Sequence, residues 1–486
     1  MSKETNIHNL AFGVGIFFLL GIVLASFINN FLIITFAALL GFFYLFLIDK
    51  KIIAFLFLFI IFGAIYFNLF SYFQFKNINI PYNENIKFEG IVTNARNGSV
   101  QQLEISLLGE YKGKINLKTT QYPQFNYGDK IEFEGTIKEL SGEYKNYYLT
   151  KSIVGEINFP AIKVISTDNG SFVKSQLFNL RTKIRNIFQS ILSKEKAAFL
   201  AGITIGSRED FSKEFKEKMS LSGTTHLVAL SGYNITVIIL AASIFFSSIF
   251  SVATSFYFNI LTVILFVIMT GAEASVVRAA IMGVIVVLSQ RMERLSNPRN
   301  AIVVAALIMA LFNPRVLVFD IGFQLSFAAL IGIIYLAPVI KNIFSANGGS
   351  ASGGKIFDKG FLSWKENAIT TFSAQIFALP ILLSNFGIFS LASIVANVLI
   401  LEFIPVTMGI GFTIAFLGMF SLFLAKILGY LVNIIISYEF FIINIFSKFS
   451  IPIKIESGNL YFWILYYLAI FAVVLIFREK DKELIN

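Results

Sequence analysis

Long apolar runs divided by short polar turns fill both ends of the chain, and between them the hydrophobic period drops from helical to two. Three runs open the sequence, at 10–27, 31–48 and 52–70. Each approaches the roughly 20 residues a helix needs to cross a bilayer. Asn29 and Asn30 mark the first turn; Asp49, Lys50 and Lys51 mark the second. From 75 to 165 apolar and charged residues alternate, as in Ile86-Lys-Phe-Glu-Gly-Ile-Val92 and Lys130-Ile-Glu-Phe-Glu-Gly-Thr-Ile137, which gives a strand one buried and one solvated face. Asn97-Gly98 and Tyr127-Gly128-Asp129 supply turn chemistry between them. About six strands in so short a stretch predict a small closed or partly open barrel, OB-like in type.

A helical period returns over 172–192, where Phe172, Leu177, Leu180, Ile184, Ile187, Phe188 and Ile191 are apolar and Lys174, Arg181, Lys183 and Arg185 surround them. That pattern predicts a helix lying on the membrane surface. Further apolar runs follow at 226–250, 257–270, 275–290, 301–312, 319–339, 368–384, 389–401, 407–425, 428–445 and 461–477. Several are short for a full crossing, as half-helices are.

The predicted fold is therefore a polytopic α-helical membrane protein with an inserted extracytoplasmic β-barrel. Its parts are N-terminal transmembrane helices (1–72), an OB-like β domain (73–170), a basic amphipathic interfacial segment (171–222), a second transmembrane domain (223–480) and a tail (481–486). Lys50 and Lys51 favour a cytoplasmic second turn, so the third helix exits outward to the β domain. Alternate crossing then places Arg291, Arg294 and Arg299 inside, and with them Lys341, Lys355, Lys359 and Lys365.

Composition narrows the chemistry. With 56% hydrophobic residues, 14% charged and a mean hydropathy of +0.75, the 486-residue chain is not an ordinary soluble protein. It has no cysteine and only two histidines, His8 and His226, so disulfides and thiolate sites are excluded and a histidine metal centre almost so; carboxylates could still hold magnesium, but no cofactor is expected. The net charge of +10 suits anionic lipid or nucleic acid. Yet 73–170 holds eleven basic and eleven acidic residues, which is not the positive field of a nucleic-acid groove. For Tyr111, Tyr122, Tyr127, Tyr144, Tyr147 and Tyr148, packing takes precedence over base stacking. Between 174 and 218 ten basic residues face five acidic ones, and anionic headgroups are their first expected partner.

Polar residues inside the second apolar block are the candidate site. Gly223 to Asn234 reads GTTHLVALSGYN, placing His226, Ser231 and Asn234 among apolar residues with Gly232 as a hinge; unsatisfied polar groups in hydrocarbon cost several kcal/mol, roughly 2–7. Arg278 stands about one turn into its run with Glu273 before it, and intramembrane arginines mark function by default. Asp320 suits equally an N-cap, with Gln324 one turn on. Gln375, Asn397 and Glu402 continue the series. No nucleophile, base and orienting acid stand together, and no phosphate-cradling glycine loop is present, so no enzyme is expected.

These motifs resemble the ComEC-type competence proteins. His226-Leu-Val-Ala-Leu-Ser-Gly232 is similar to that family's histidine and Ser-Gly signature, Ser275-Val-Val-Arg-Ala-Ala-Ile-Met282 to its Arg-Ala run, and Asp320-Ile-Gly-Phe-Gln-Leu-Ser-Phe327 to its DxGFQLSF element. Ala374-Gln375, Pro380 and Asn397 resemble later positions. Asn234 stands where the signature has a second histidine. The resemblance implies a bacterial inner-membrane channel passing single-stranded DNA to the cytoplasm during natural transformation, its pore lined by His226, Ser231, Asn234, Arg278, Asp320, Gln324, Gln375 and Asn397. It implies an external DNA receptor and a cytoplasmic motor as partners. Many relatives carry a metallo-β-lactamase-like domain, for which this chain has neither the length nor the histidines, so a separate nuclease is expected. A solute or ion-coupled transporter and an intramembrane enzyme acting on lipid-linked substrate are the rival readings; in the enzyme, Glu273, Arg278 and Asp320 would cluster.

Overall fold

The computed structural model describes residues 4–28, 30–96, 98, 100–142, 144–207, 211–228, 230, 232–291, 298–345, 364–390, 392–449, 452–454 and 460–483. The chain opens with helices α1 (Glu4–Phe27), α2 (Phe31–Leu47) and α3 (Lys51–Phe75). Strands β1 (Asn85–Arg96), β2 (Val100–Leu108), β3 (Lys114–Thr120), β4 (Lys130–Thr136) and β5 (Lys138–Glu139) follow, then α4 (Lys145–Thr150), β6 (Ile153–Asn158) and β7 (Ala161–Ser166). Next come α5 (Phe172–Ile191), α6 (Lys194–Ile205), α7 (Lys213–Leu221), a 3-10 turn (Thr225–Leu227), α8 (Gly232–Ser247), α9 (Val252–Thr270), α10 (Ala274–Arg291), α11 (Pro298–Phe312) and α12 (Val316–Phe319). The last elements are α13 (Ile321–Tyr335), α14 (Ala337–Ser345), α15 (Trp364–Phe386), β8 (Ile388–Ser390), α16 (Ala392–Leu401), α17 (Ile404–Gly418), α18 (Leu422–Lys448), β9 (Pro452–Lys454) and α19 (Leu460–Glu483).

Six candidate spans among the described residues are long and apolar enough to cross a membrane, and α16 with α17, bent by 48° at their break, has the form of a broken span or a re-entrant loop. Phe31–Leu47, Asn234–Ser247, Ala274–Leu288, Pro298–Phe312 and Phe462–Phe477 are apolar but shorter. The chain is a polytopic helical membrane protein. One predicted run is corrected: 407–425 is not one helix. Helix α17 stops at Gly418, and Ser421, in extended backbone, accepts from the Leu424 amide and starts α18. The intervening Met419 and Phe420 are apolar, so hydropathy alone runs through the turn.

The chain divides into two compact units, Met1–Arg181 with Ile239–Asp320, and Thr182–Ile238 with Ile321–Asn486. In the first, α1 and α3 lie side by side, with Gly13 beside Leu56 and Gly21 beside Ile60. A Cβ at Gly21 would come within 2.1 Å of the Ile60 carbonyl oxygen, and one at Gly63 within 2.1 Å of that of Phe18; only glycine lets the backbones meet, as small residues do between membrane helices. Ile22, Ala25, Ile60, Ala64, Phe67 and Ala310 of α11 are buried there. Arg299 rests on the Phe12 ring near the start of α1.

The sheet of the first unit has seven strands in the order β5-β6-β3-β2-β1-β4-β7, with β3·β6 parallel and the other pairs antiparallel. The expected alternation around Phe88 and Phe133 becomes β1 and β4, which place those two residues opposite one another. Strands β4 and β5 are separated by Ile137 alone; one pairs β1 and the other β6. The inward residues, among them Phe88, Leu103, Ile105, Ile115, Leu117, Ile131, Phe133 and Ile137, form one apolar core. The sheet is tied to the ends of two helices: Gln74 of α3 donates to Leu149 O at 3.1 Å, and Asn313, just past α11, donates to Thr150 O at 2.6 Å.

In the second unit α6 is buried from Ala197 to Ile205, although it lies within the stretch predicted as interfacial. It packs on α17, where Gly411 faces Leu200 and Thr204. Phe199 of α6 and Phe215 of α7 both meet Phe440 of α18, at centroid distances of 5.5 and 4.4 Å. Helix α13 packs on α15, which carries Pro380. A proline lacks the N–H that would bond the carbonyl four residues back, and that carbonyl, Ile376 O, accepts instead from the Tyr466 hydroxyl of α19 at 2.9 Å.

Candidate functional site

The stretch that opens the second apolar block is a folded connection and not a continuous helix. Gly223 has φ +69°, and a Cβ there would lie 2.2 Å from Cβ of Ser393. A side chain is thus excluded on both backbone and packing grounds. Beside it, Ser222 and Thr224 are buried and share a hydrogen bond of 2.8 Å. His226 lies in the 3-10 turn, exposed, with Nδ1 3.2 Å from Gly223 O. Gly232 opens α8, and Ser231 lies outside the described residues. Asn234, 2% exposed, donates to Ile203 O of α6 at 3.0 Å.

Three elements converge on Ser393. Gly223 abuts it, and its hydroxyl donates to Gln375 Oε1 of α15 at 3.3 Å. Asn397 follows one turn later on the same face of α16, fully buried, with neither its amide nitrogen nor its carbonyl oxygen partnered. Each buried unsatisfied group costs about 1–3 kcal/mol. Gln324 stands half-buried on α13, which packs on the helix carrying Gln375.

The remaining predicted residues belong to the first unit. Arg278 is 9% exposed on α10, which packs on α9 and α11; Glu273 precedes α10 and its carbonyl accepts from Val276 and Val277. Asp320 closes α12, its amide donating to Val316 O. The structure therefore joins Gln375 to the 223–234 connection through Ser393, while Asn234 turns to α6. Glu402, named with the later series, accepts from Asn367 of α15.

Sequence reasoning passed over Ser393, Lys196 and Glu439. Lys196 of α6 donates to Asn433 Oδ1 at 2.7 Å and Ser437 Oγ at 2.6 Å on α18. Glu439 is fully buried on α18 and its Oε1 lies 2.8 Å from Thr407 Oγ1. The signal for Glu439 was a lone acid in the apolar run 428–445, spaced with its buried neighbours.

On the sheet the charges meet one another. Lys130 pairs with Glu89 at 2.9 Å, Lys118 with Glu156 at 3.5 Å, Lys145 with Glu139 at 3.0 Å and Lys87 with Glu134 at 3.9 Å. Lys114 pairs with Glu104 at 2.5 Å. Burial works to raise the Glu104 carboxyl, but Lys114, with Lys151 and Asn94, outweighs it and holds the group below its ordinary value. Lys174 of α5, counted among the basic surface residues, donates to Thr93 O at 3.2 Å and sits 4.6 Å from the Tyr127 ring centroid. Its burial, with Lys114 nearby, lowers its pKa. Tyr111 packs edge-on against Phe88, whereas Tyr122 and Tyr144 are exposed. Among the described residues no group of three or more His, Cys, Asp or Glu is placed to hold a metal ion.

Residues 203–480 match the family described as Competence protein. Over 285 residues the chain is 27% identical to ComE operon protein 3 of Bacillus subtilis (strain 168), an alignment covering 57% of this chain and 34% of that relative. The chain thus spans about a third of the length of the curated relative it matches. No solved structure matches it.

Proposed function

This chain belongs to the competence protein family, and on that premise we propose that it acts in DNA uptake, as an inner-membrane channel carrying single-stranded DNA into the cytoplasm. The observation that carries this reading is the extent of the family match, 203–480, which contains every proposed pore position. A conduit for a polyanion needs donors and small residues at many points, each holding phosphate weakly enough to release it. His226, Ser231, Asn234, Arg278, Gln324, Gln375 and Asn397 supply such groups, Asp320 sets the start of the Gln324 helix, and Gly232 lets the chain bend. The role is transport and not catalysis.

The β domain is assigned outside the cell and OB-like. In support of the barrel, Ile137 alone separates the strand that pairs β1 from the strand that pairs β6, so the order turns back on itself there. In support of the outward side, Lys51 and Arg299 stand at the starts of α3 and α11, whereas Gln74 and Asn313, at the far ends, hold the sheet. Basic residues mark the cytoplasmic face. With its lysines paired to glutamates, the domain guides a strand more than it grips one, and α5 rests on anionic lipid. An external receptor, a separate nuclease and a cytoplasmic motor complete the system, since the chain has no nucleotide-binding loop of its own.

The test is uptake of labelled DNA by cells carrying Arg278→Ala or Gln324→Ala, with the membrane level of the protein followed in parallel. Uptake drops at least tenfold in each at unchanged level. Undiminished uptake in both takes these positions out of the transport path.

A further inference from the structure

Helix α18 buries one stripe, formed by Ala425, Gly429, Val432, Ile436, Glu439 and Ile443, with Ile442 and Ser447 buried beside them. The steps of four and three residues are those of a helix packing seam, and the opposite face, with Tyr430, Ile434 and Phe441, is exposed. Five members of the stripe are apolar or glycine; the sixth is a glutamate with no exposed surface. An ionised carboxylate there would lose its hydration with nothing of opposite charge to replace it, and in such places the group neutralises instead.

The hydrogen bonds offered to this carboxyl are few and uncharged. Thr407 Oγ1 lies 3.0 Å from Phe403 O and 2.8 Å from Glu439 Oε1. A hydroxyl has one hydrogen to give and lone pairs to accept with. Phe403 O already accepts from the Thr407 amide at 2.9 Å, so the Thr407 hydrogen is free to go to Glu439 Oε1. That one neutral hydroxyl is the hydrogen bond the carboxyl has, and a single neutral donor does not replace the hydration of an ionised carboxylate. Its other oxygen, Oε2, has no partner, a smaller cost for one oxygen of a neutral acid than for half of a carboxylate.

Among the described residues, the helices packed around it bring no neutralising charge, and Glu402, between α16 and α17, accepts from Asn367. Helices α16 and α17 contain no ionisable residue. On α18, Tyr438 turns its hydroxyl to Leu399 O at 3.4 Å, and Lys426, Tyr430 and Lys448 are off the stripe. On α6, Lys196 is held by Asn433 and Ser437, and Glu195 accepts from Ser212; Lys194 lies at the helix start. On α7, Glu214 pairs with Lys218, while Lys213, Lys216 and Glu217 are exposed. The hydrogen-bond chain ends at Phe403, the residue at the 48° break between α16 and α17, and broken membrane helices are where transporters place ion sites.

We infer that Glu439 is a proton-binding site: the α17–α18 seam holds its carboxyl as the neutral acid, bonded to the Thr407 hydroxyl, and the proton leaves only when the seam parts at the helix break. The site takes a proton, no other ligand, and couples proton release to movement of the broken span. The assignment stands apart from the DNA reading, because its test asks only for the state of one carboxyl.

The experiment is infrared spectroscopy of the full chain in lipid nanodiscs at neutral pH, wild type minus Glu439→Gln. The carbonyl oxygen of glutamine can accept from Thr407 as Glu439 Oε1 does, so this variant keeps the seam. The expected difference is the carbonyl stretch of one protonated carboxyl, present in wild type and missing in the variant. Loss of a carboxylate band instead overturns the inference. Thr407→Val leaves the carboxyl in place without its hydrogen-bond partner, and the protonated band should shift in frequency; a band at an unmoved position shows that the acid is not bonded there and also overturns it.

Discussion

The seven-stranded sheet and the helices of the second unit contain polar groups of the same kinds and treat them in opposite ways. On the sheet, Gln101 is fully buried, donates to Gln121 O at 3.1 Å and accepts from the Phe125 amide at 3.4 Å. On α16, Asn397 is equally buried and neither end of its amide meets a protein group. Glu104 on the sheet is met by Lys114 and Asn94; Glu439 on α18 is met by a single hydroxyl. The sheet meets its buried Gln101 and Glu104 with groups of its own strands and turns, although the amide nitrogen of Asn116 on β3 is left without a partner. The helical unit satisfies Lys196, Asn234 and Ser393 but leaves both ends of the Asn397 amide and one oxygen of Glu439 without a partner.

Substitutions sharpen or break this contrast, and the largest effect is expected on the sheet. Lys114→Met leaves Glu104 partly buried and unpaired, and should destabilise the sheet by about 2–3 kcal/mol, below the figure for a fully buried pair because both side chains keep some exposure; hydrogen exchange of the β1 to β3 amides in the full chain reads it.

Next, Gln101→Leu and Asn397→Leu should have opposite signs. The first strands two partners and costs about 1–3 kcal/mol, whereas the second removes an unsatisfied amide and stabilises the chain by a similar amount while DNA uptake falls. Thermal unfolding in nanodiscs and the uptake assay decide it, and destabilisation by both would erase the distinction.

The pH dependence is smaller. The folded-state pKa of Glu104 lies below its unfolded value, so its contribution is present above the ordinary carboxylate range and is lost as pH falls through the folded value. Protection of the sheet amides, relative to the unfolded chain at the same pH, should therefore fall on acidification, and less so in Glu104→Gln. Last, Lys87→Ala breaks a 3.9 Å pair whose side chains are 69% and 50% exposed, and should change stability by less than about 0.5 kcal/mol.

Much of the fold was legible. The alternation at 86–92 and 130–137 became β1 and β4, and the turn at Gly128 has φ +88°. Strand β5, two residues long, escaped notice because no period can be read in two residues. Helix α6 was read as surface because basic residues flank it, although Ala197 to Ile205 are all buried. The predicted turn residues Asn29 and Asn97, and Arg294, Lys355 and Lys359, lie outside the described residues.

The candidate site was legible only as residue types. That Arg278, Gln375 and Asn397 stand in apolar runs is plain from their neighbours. That Gly223 must be glycine beside Ser393, or that Tyr466 serves the carbonyl released by Pro380, has no local trace.

By itself the sequence determined which stretches leave water and with what period, because transfer free energy belongs to each side chain wherever it stands. Only the tertiary structure decided which polar groups are satisfied, because a hydrogen bond needs two groups brought together from distant parts of the chain. Thr407 meets Glu439 and Asn397 meets nothing, and no property of the separate residues distinguishes those outcomes.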